Sequence, residues 1–192
     1  KKFTPRISLG WKASADQNVY ASWTEGFKGG GFDPRMNIVG SKLTLDKAKQ
    51  GFLPEQISTF EIGLKSAFAK NTVLTNIAVF HSDYKEVQIP GSVAIDTNGD
   101  GKDDSFAGVT TNAGKAKIDG IELEATARLT DAFSMSGMFS YIDAKYTKYI
   151  GAGNIDVANL RVFQNTPKQT ASIRANYDWD MAMLGNSGKL TL

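Results

Sequence analysis

Ala171-Ser172-Ile173-Arg174-Ala175-Asn176-Tyr177-Asp178-Trp179 alternates without a break. Ala171, Ile173, Ala175, Tyr177 and Trp179 are apolar or aromatic, and the residues between them are polar or charged. Successive side chains of an extended chain point to opposite faces, so this stretch reads as a strand with one apolar and one polar face.

The same period recurs upstream. Met135, Gly137, Phe139 and Tyr141 alternate with Ser134, Ser136, Met138 and Ser140, after a turn at Thr130-Asp131-Ala132. Ile121, Leu123, Ala125 and Ala127 alternate with Glu122, Glu124, Thr126 and Arg128, and Phe60, Ile62 and Leu64 with Glu61, Gly63 and Lys65. Near the start, Ile7, Leu9 and Trp11 precede a turn and then Val19, Ala21 and Trp23. Antiparallel strands are therefore expected over 3–13, 18–27, 57–69, 73–88, 112–129, 133–146 and 167–183, with an eighth beginning at Lys189-Leu190-Thr191-Leu192.

The connections carry further information. Short turns near 14–18, 70–72, 130–132 and 184–188 interleave with long loops near 27–55, 89–110 and 147–166. Short turns on one rim and long loops on the other is the asymmetry of outer-membrane barrels. The apolar face is light, and Trp11, Trp23, Phe68, Phe133, Tyr177 and Trp179 stand towards strand ends, where an aromatic girdle would meet the lipid–water interface. Leu9, Ala21, Ile62, Leu123, Phe139, Ile173 and Tyr177 should face lipid, and Lys65, Glu124 and Arg174 the lumen. The competing reading of the same alternation is a soluble sandwich whose charged face is simply solvated.

Composition excludes other classes. The 192 residues carry a formal charge of +2 and no basic cluster, which gives no nucleic-acid footprint. Without cysteine there is no disulfide framework, thiolate metal site or thiol nucleophile, and the single histidine, His81, makes no ligand set. The longest apolar runs, Ile77–Phe80 and Met181–Leu184, are far short of the roughly 20 residues a spanning helix needs. No signal peptide opens the chain and a strand pattern breaks off at its end, so the chain is expected to be cut at both ends.

Several short motifs follow one another in a familiar order. Tyr20-Ala21-Ser22-Trp23-Thr24-Glu25-Gly26-Phe27-Lys28-Gly29-Gly30-Gly31-Phe32 is one, and Leu53-Pro54-Glu55-Gln56 with Phe60-Glu61-Ile62-Gly63-Leu64-Lys65-Ser66 is the next. Ala78-Val79-Phe80-His81-Ser82-Asp83-Tyr84 follows. Then come Asn112-Ala113-Gly114 with Gly120-Ile121-Glu122-Leu123-Glu124, and finally Asn165-Thr166-Pro167. In this order the chain resembles the barrel portion of TonB-dependent outer-membrane receptors, departing at His81, where that family usually has an aromatic. The resemblance implies an all-β, antiparallel transmembrane segment: residues 1–192 would supply 7–8 strands of a barrel of about 22, the plug domain lying elsewhere. It also implies a multi-pass protein of the bacterial outer membrane, not an enzyme. Such a protein takes up a scarce nutrient, typically a ferric siderophore, with energy from the TonB complex reaching it through the plug. A general porin and a soluble calcium-dependent all-β binding module are the alternatives.

Among local motifs, Asp96, Asn98, Asp100 and Asp104 follow the spacing of oxygen ligands in a calcium loop, with Gly101 at the sharp turn. Ala107 stands where the bidentate glutamate belongs, so the segment also reads as a solvated hairpin tip. No other cofactor is required. Glu122 and Glu124 share a face and are expected to join a lumenal ion-pair network with Glu61 and Lys65 rather than act as an acid–base pair. The Gly29-Gly30-Gly31 run lacks the Lys-Ser/Thr of a phosphate loop.

Overall fold

A computed structural model describes residues 2–35, 49–151, 155–183 and 186–191. They form one eight-stranded antiparallel meander in sequence order: β1 (Arg6–Lys12), β2 (Gln17–Lys28), β3 (Glu55–Phe68), β4 (Val73–Ile95), β5 (Ser105–Arg128), β6 (Phe133–Tyr149), β7 (Gln169–Met183) and β8 (Asn186–Thr191). One turn of 3-10 helix, Ala158–Leu160, lies between β6 and β7.

The register aligns the apolar residues into continuous rows. Leu9, Ala21, Ile62, Val79, Ile121 and Tyr141 are successive cross-strand partners from β1 to β6. Lys65, Asn76, Glu124, Met138 and Ser172 form a row of the opposite parity, and Arg174 shares that face. The residues grouped on one face from the sequence share that face in this register.

Exposure then separates a barrel wall from a sandwich. Among the described residues no second sheet covers the apolar face: Ile173 is 80% exposed, Leu9 72% and Val79 48%. The crowded face is the polar one, where Ser22, Ala78, Ser82, Ala116 and Ser140 are buried. Residues of that face from β1 to β5, among them Asn18, Lys65, Asn76 and Glu124, enclose a hollow of about 720 Å³, so the sheet curls towards its polar side. Apolar outside and polar inside fits a wall between lipid and a hydrated lumen. A soluble module would place this much contiguous apolar surface in water.

Two cross-strand pairs explain glycines in the sequence motifs. Gly63 lies opposite Tyr20, and Gly120 opposite Phe80. A Cβ on Gly63 would stand 2.4 Å from the Tyr20 ring, and one on Gly120 2.3 Å from the Phe80 ring. Each inner-face aromatic therefore lies flat over a glycine, which keeps bulky rings inside the curl and pins the register.

Aromatics also mark the band edges. Phe133 and Tyr177 are 6.4 Å apart and Tyr177 meets Trp179 edge-on at 4.9 Å, all on the outer face at the short-turn end. Towards the other end, Trp23 donates its indole N–H to Ser58 Oγ at 2.8 Å, leaving the ring on the outer face.

The long-loop rim differs from the sequence reading. Residues 89–110 are expected to be loop, yet β4 continues to Ile95 and β5 begins at Ser105, leaving only 96–104 as connection. Pro90 argues against a strand because it cannot donate. Here β3 ends opposite Lys85, so among the described residues β4 beyond Glu86 has a strand partner on one side only and the missing N–H is tolerated. A bulge at Glu86, with φ at +54°, starts this extension, and Val87, Ile89, Ile95 and Ala107 are buried along it. The turn expected at 184–188 lies partly outside the described residues, and β8 already begins at Asn186.

Candidate functional site

Above the membrane band, the inner face of the long-loop rim gathers aromatic, cationic and carboxylate groups. The alternation of β4 and β6 brings Tyr84 and Tyr146 to this face, both paired with the small Ala116 of β5 between them. Glu55, at the head of β3, is 4% exposed. Its carboxylate accepts from the backbone N–H of Gln88 at 2.8 Å, pairs with Lys28 Nζ at 3.3 Å and receives the Tyr84 hydroxyl. Three donors converge on this buried carboxylate and hold it in place.

Tyr146 extends the patch. Phe163 stacks on it at 4.4 Å and 12°, and Tyr149 meets it edge-on at 5.1 Å. The Arg161 guanidinium lies 5.2 Å over the Tyr149 ring. The segment carrying Arg161 and Phe163 is tied down through Asp156, which accepts from the backbone N–H groups of Tyr149 and Ala158, both at 3.0 Å. Those two bonds, Tyr149 first, hold the Asp156 carboxyl below its ordinary pKa. The result is an aromatic wall with a cation beside it, suited to an aromatic or anionic guest.

The connection after β2 docks against the β4–β5 extension beside this wall. Asp33 receives Arg35 Nη2 at 2.6 Å and Thr110 Oγ1 at 2.7 Å. These bonds, Arg35 first, keep the Asp33 carboxyl well below the usual carboxylate range. Asn112 clasps the backbone of Leu53 through both ends of its amide, and Gln88 Nε2 donates to the carbonyls of Gly29 and Leu53.

Candidates read from the sequence fare differently. Asp96, Asn98 and Asp100 meet at the hairpin tip as successive side-chain turns. Asp96 accepts from the N–H groups of Asn98, Gly99 and Gly101, Asn98 from Asp100, and Asp100 from Lys102. Backbone donors, Gly101 first, lower the Asp96 pKa. Asp104 instead spans the hairpin to the N–H and hydroxyl of Thr97. Among the described residues no group of three or more acidic or histidine side chains is gathered for a metal ion.

The lumenal network is also arranged differently. Glu61 receives the Tyr20 hydroxyl and Lys65 lies 5.7 Å over the Tyr20 ring, and no salt bridge among the described residues includes Glu61, Lys65, Glu122 or Glu124. The rim patch was not visible in the sequence, because nothing local links Tyr84, Tyr146 and Phe163. The register of β4 to β6 is the signal that would have found the two tyrosines.

Comparison with known proteins fits this geometry. A family model described as "TonB dependent receptor-like, beta-barrel" matches residues 1–191. The chain is 26% identical over 176 residues to the metal-pseudopaline receptor CntO of Pseudomonas aeruginosa, covering 92% of this chain and 21% of that protein. It is 25% identical over 180 residues to the probable TonB-dependent siderophore receptor PiuA of Acinetobacter baumannii, covering 91% of this chain and 22% of that one. Among solved structures, the ferric yersiniabactin uptake receptor FyuA of Yersinia pestis superposes with a TM-score of 0.64 at 24% identity, covering 97% of this chain and 24% of the receptor. The chain thus spans only about a fifth of the length of the curated relatives it matches.

Proposed function

Since this chain belongs to the TonB-dependent receptor β-barrel family, we propose that it is part of the wall of a receptor-transporter that takes up a ferric siderophore complex with energy delivered through TonB. Barrels of this family lie in the outer membrane, and the family is one of transport receptors rather than enzymes. The lumen is closed by the strands that complete the barrel and filled by a plug, through which the TonB complex acts. Rim groups such as Tyr84, Tyr146, Tyr149, Phe163 and Arg161 meet the ligand first. No reaction is assigned to the segment.

The observation that carries this reading is the aromatic and cationic wall on the inner face of the long-loop rim. A ferric siderophore is often an anionic chelate with aromatic or apolar parts, and a guanidinium beside aromatic faces complements it. The relatives' printed names, a metal-pseudopaline receptor and a probable siderophore receptor, support the same ligand class.

The test is uptake of radiolabelled iron by cells dependent on this protein, supplied with catecholate, hydroxamate or mixed-type chelators in turn. At least one chelate should be taken up, and uptake should stop when the proton gradient is collapsed. The double variant Tyr146→Ala, Arg161→Ala should weaken binding of that chelate roughly 10- to 100-fold. Energy-independent entry of small solutes unrelated to iron would instead indicate a general porin.

A further inference from the structure

Glu55 is the one charged residue among those described that is buried, and the register shows why. It opens β3 opposite Lys28 of β2. On the other side, pairing of β3 with β4 stops at Gln56 opposite Lys85, and the bulge at Glu86 follows. The next N–H of β4 with a partner on this side is that of Gln88, and it donates to Glu55 Oε2 at 2.8 Å. The carboxylate thus stands where a further β3 carbonyl would have been.

The same carboxylate receives the Tyr84 hydroxyl. Tyr84 lies opposite Ile57, two residues along β3 from Glu55, a diagonal that an aromatic and a long side chain can span. Among the described residues the Tyr84 ring enters no ring pair and no cation–π contact. Tyr146, on the far side of Ala116, is held the other way, by Phe163 and Tyr149 against its ring.

One tyrosine of the wall is therefore fixed by its ring and the other by its hydroxyl. Their strands are two sheet spacings apart, roughly 9–10 Å, with Ala116 between them. A tyrosine without a restraint samples several χ1 rotamers, and a guest would have to freeze one of them on binding. With its hydroxyl on Glu55, Tyr84 is ordered before any guest arrives. Glu55 itself is too buried to meet the guest.

We propose that Glu55 is a positioning residue for the chelate wall, acting through the Tyr84 hydroxyl to hold that ring in one orientation. The functional half of this rests on the reading of the rim as the chelate's first contact. The structural half, that Glu55 fixes Tyr84, stands without it.

The first measurement needs no chelate. Tyrosine isotope-labelled at Cζ is incorporated into the full-length receptor in lipid nanodiscs, and the NMR signal lost in Tyr84→Phe identifies Tyr84. Glu55→Ala should move that signal, because Cζ senses the hydrogen bond of its hydroxyl. Glu55→Gln, whose carbonyl still accepts, should keep it near its original position. An unmoved signal in Glu55→Ala would overturn the proposal. The second measurement is uptake of radiolabelled iron supplied as catecholate, hydroxamate and mixed chelates in turn. Glu55→Ala should raise the half-saturating concentration roughly 10-fold at unchanged maximal rate, and Glu55→Gln should restore it. Adding Tyr84→Phe to Glu55→Ala should raise it no further, since both remove the same tie. A fall in maximal rate alone, or a full further rise in the double variant, would overturn the proposal. Heat-modifiable gel mobility reports the barrel separately. If Glu55→Ala does not fold, Tyr84→Phe alone decides, and half-saturation equal to that of the unaltered protein would overturn the proposal. Uptake of no chelate by the unaltered protein would overturn the uptake reading instead, and the Cζ signal would still decide whether Glu55 holds Tyr84.

Discussion

Leu53 and Asn112 hold each other at both ends of one amide: Leu53 N–H donates to Asn112 Oδ1 at 2.6 Å, and Asn112 Nδ2 donates back to the Leu53 carbonyl at 2.8 Å. The pair is 59 residues apart in sequence, so it ties the end of a long loop to the β5 extension. A third bond, from Asn112 Nδ2 to the Glu86 carbonyl, fixes the bulge where that extension begins.

Asn112→Ala should therefore loosen residues 49–54 while leaving the barrel strands intact. Each lost bond is worth about 1 kcal/mol, more if a buried group is orphaned. Hydrogen exchange of the Leu53 amide should accelerate by roughly 10-fold or more, with exchange in β3 unchanged. An unaltered rate at Leu53 would mean that the clasp does not order the loop.

The Asp33–Arg35–Thr110 cluster makes the same docking pH-dependent. Asp33 has a depressed pKa in the folded state, through Arg35 first and Thr110 second. Its contribution is therefore complete above the unfolded carboxylate value of about 3.9 and is lost as pH falls through the lower folded value. Protection of the loop amides against hydrogen exchange, corrected for the intrinsic exchange rate at each pH, should stay level from neutral pH to about 4 and fall below that. Asp33→Asn should lower protection at neutral pH and remove the acid step. A step near neutrality would point to a different group.

The aromatic–glycine pairs set a third expectation. Gly120→Val and Gly63→Val put a branched side chain where the Phe80 and Tyr20 rings lie. Overpacking of this kind costs about 1–3 kcal/mol in urea unfolding from lipid vesicles. Gly91, with nothing within 4 Å of a Cβ, is the control. Gly91→Ala should change stability by less than about 0.5 kcal/mol. Equal tolerance at all three positions would remove the packing explanation for the motif glycines.

At the hairpin tip, Asp96 and Asp100 already accept hydrogen bonds from the backbone. Calcium would have to displace some of these donors while lacking a twelfth-position glutamate, so binding no tighter than about 10⁻³ M is expected. Calorimetric titration at millimolar calcium should give the same heat for the unaltered protein and for Asp96→Ala, Asp100→Ala. A larger heat from the unaltered protein would establish the tip as a calcium loop.

Much of the wall was legible because alternation determines facing once register is known, and short turns leave little freedom in register. Alternation alone therefore places Leu9, Ala21 and Ile62 on one face. Strand ends were harder. The sequence predicts a loop over 89–110, and only the absence, among the described residues, of a second strand neighbour for β4 beyond Lys85 shows why Pro90 can sit in a strand there. The rim patch has another reason. Tyr146 and Phe163 are neighbours only through loop docking, which no local pattern encodes.

The central claim is that the apolar face of this sheet meets lipid and the polar face a hydrated lumen. Nitroxide scanning of β6 from Met135 to Lys145 in lipid vesicles tests it most directly, comparing collisions with oxygen, which concentrates in lipid, and with a water-soluble nickel chelate. Labels at Met135, Gly137, Phe139 and Tyr141 should favour oxygen, and those at Ser136, Met138 and Ser140 should not. The preference should turn to nickel at Asp143 and Lys145. An accessibility profile without this period of two, or one in which Ser136, Met138 and Ser140 are the oxygen-exposed set, would contradict it.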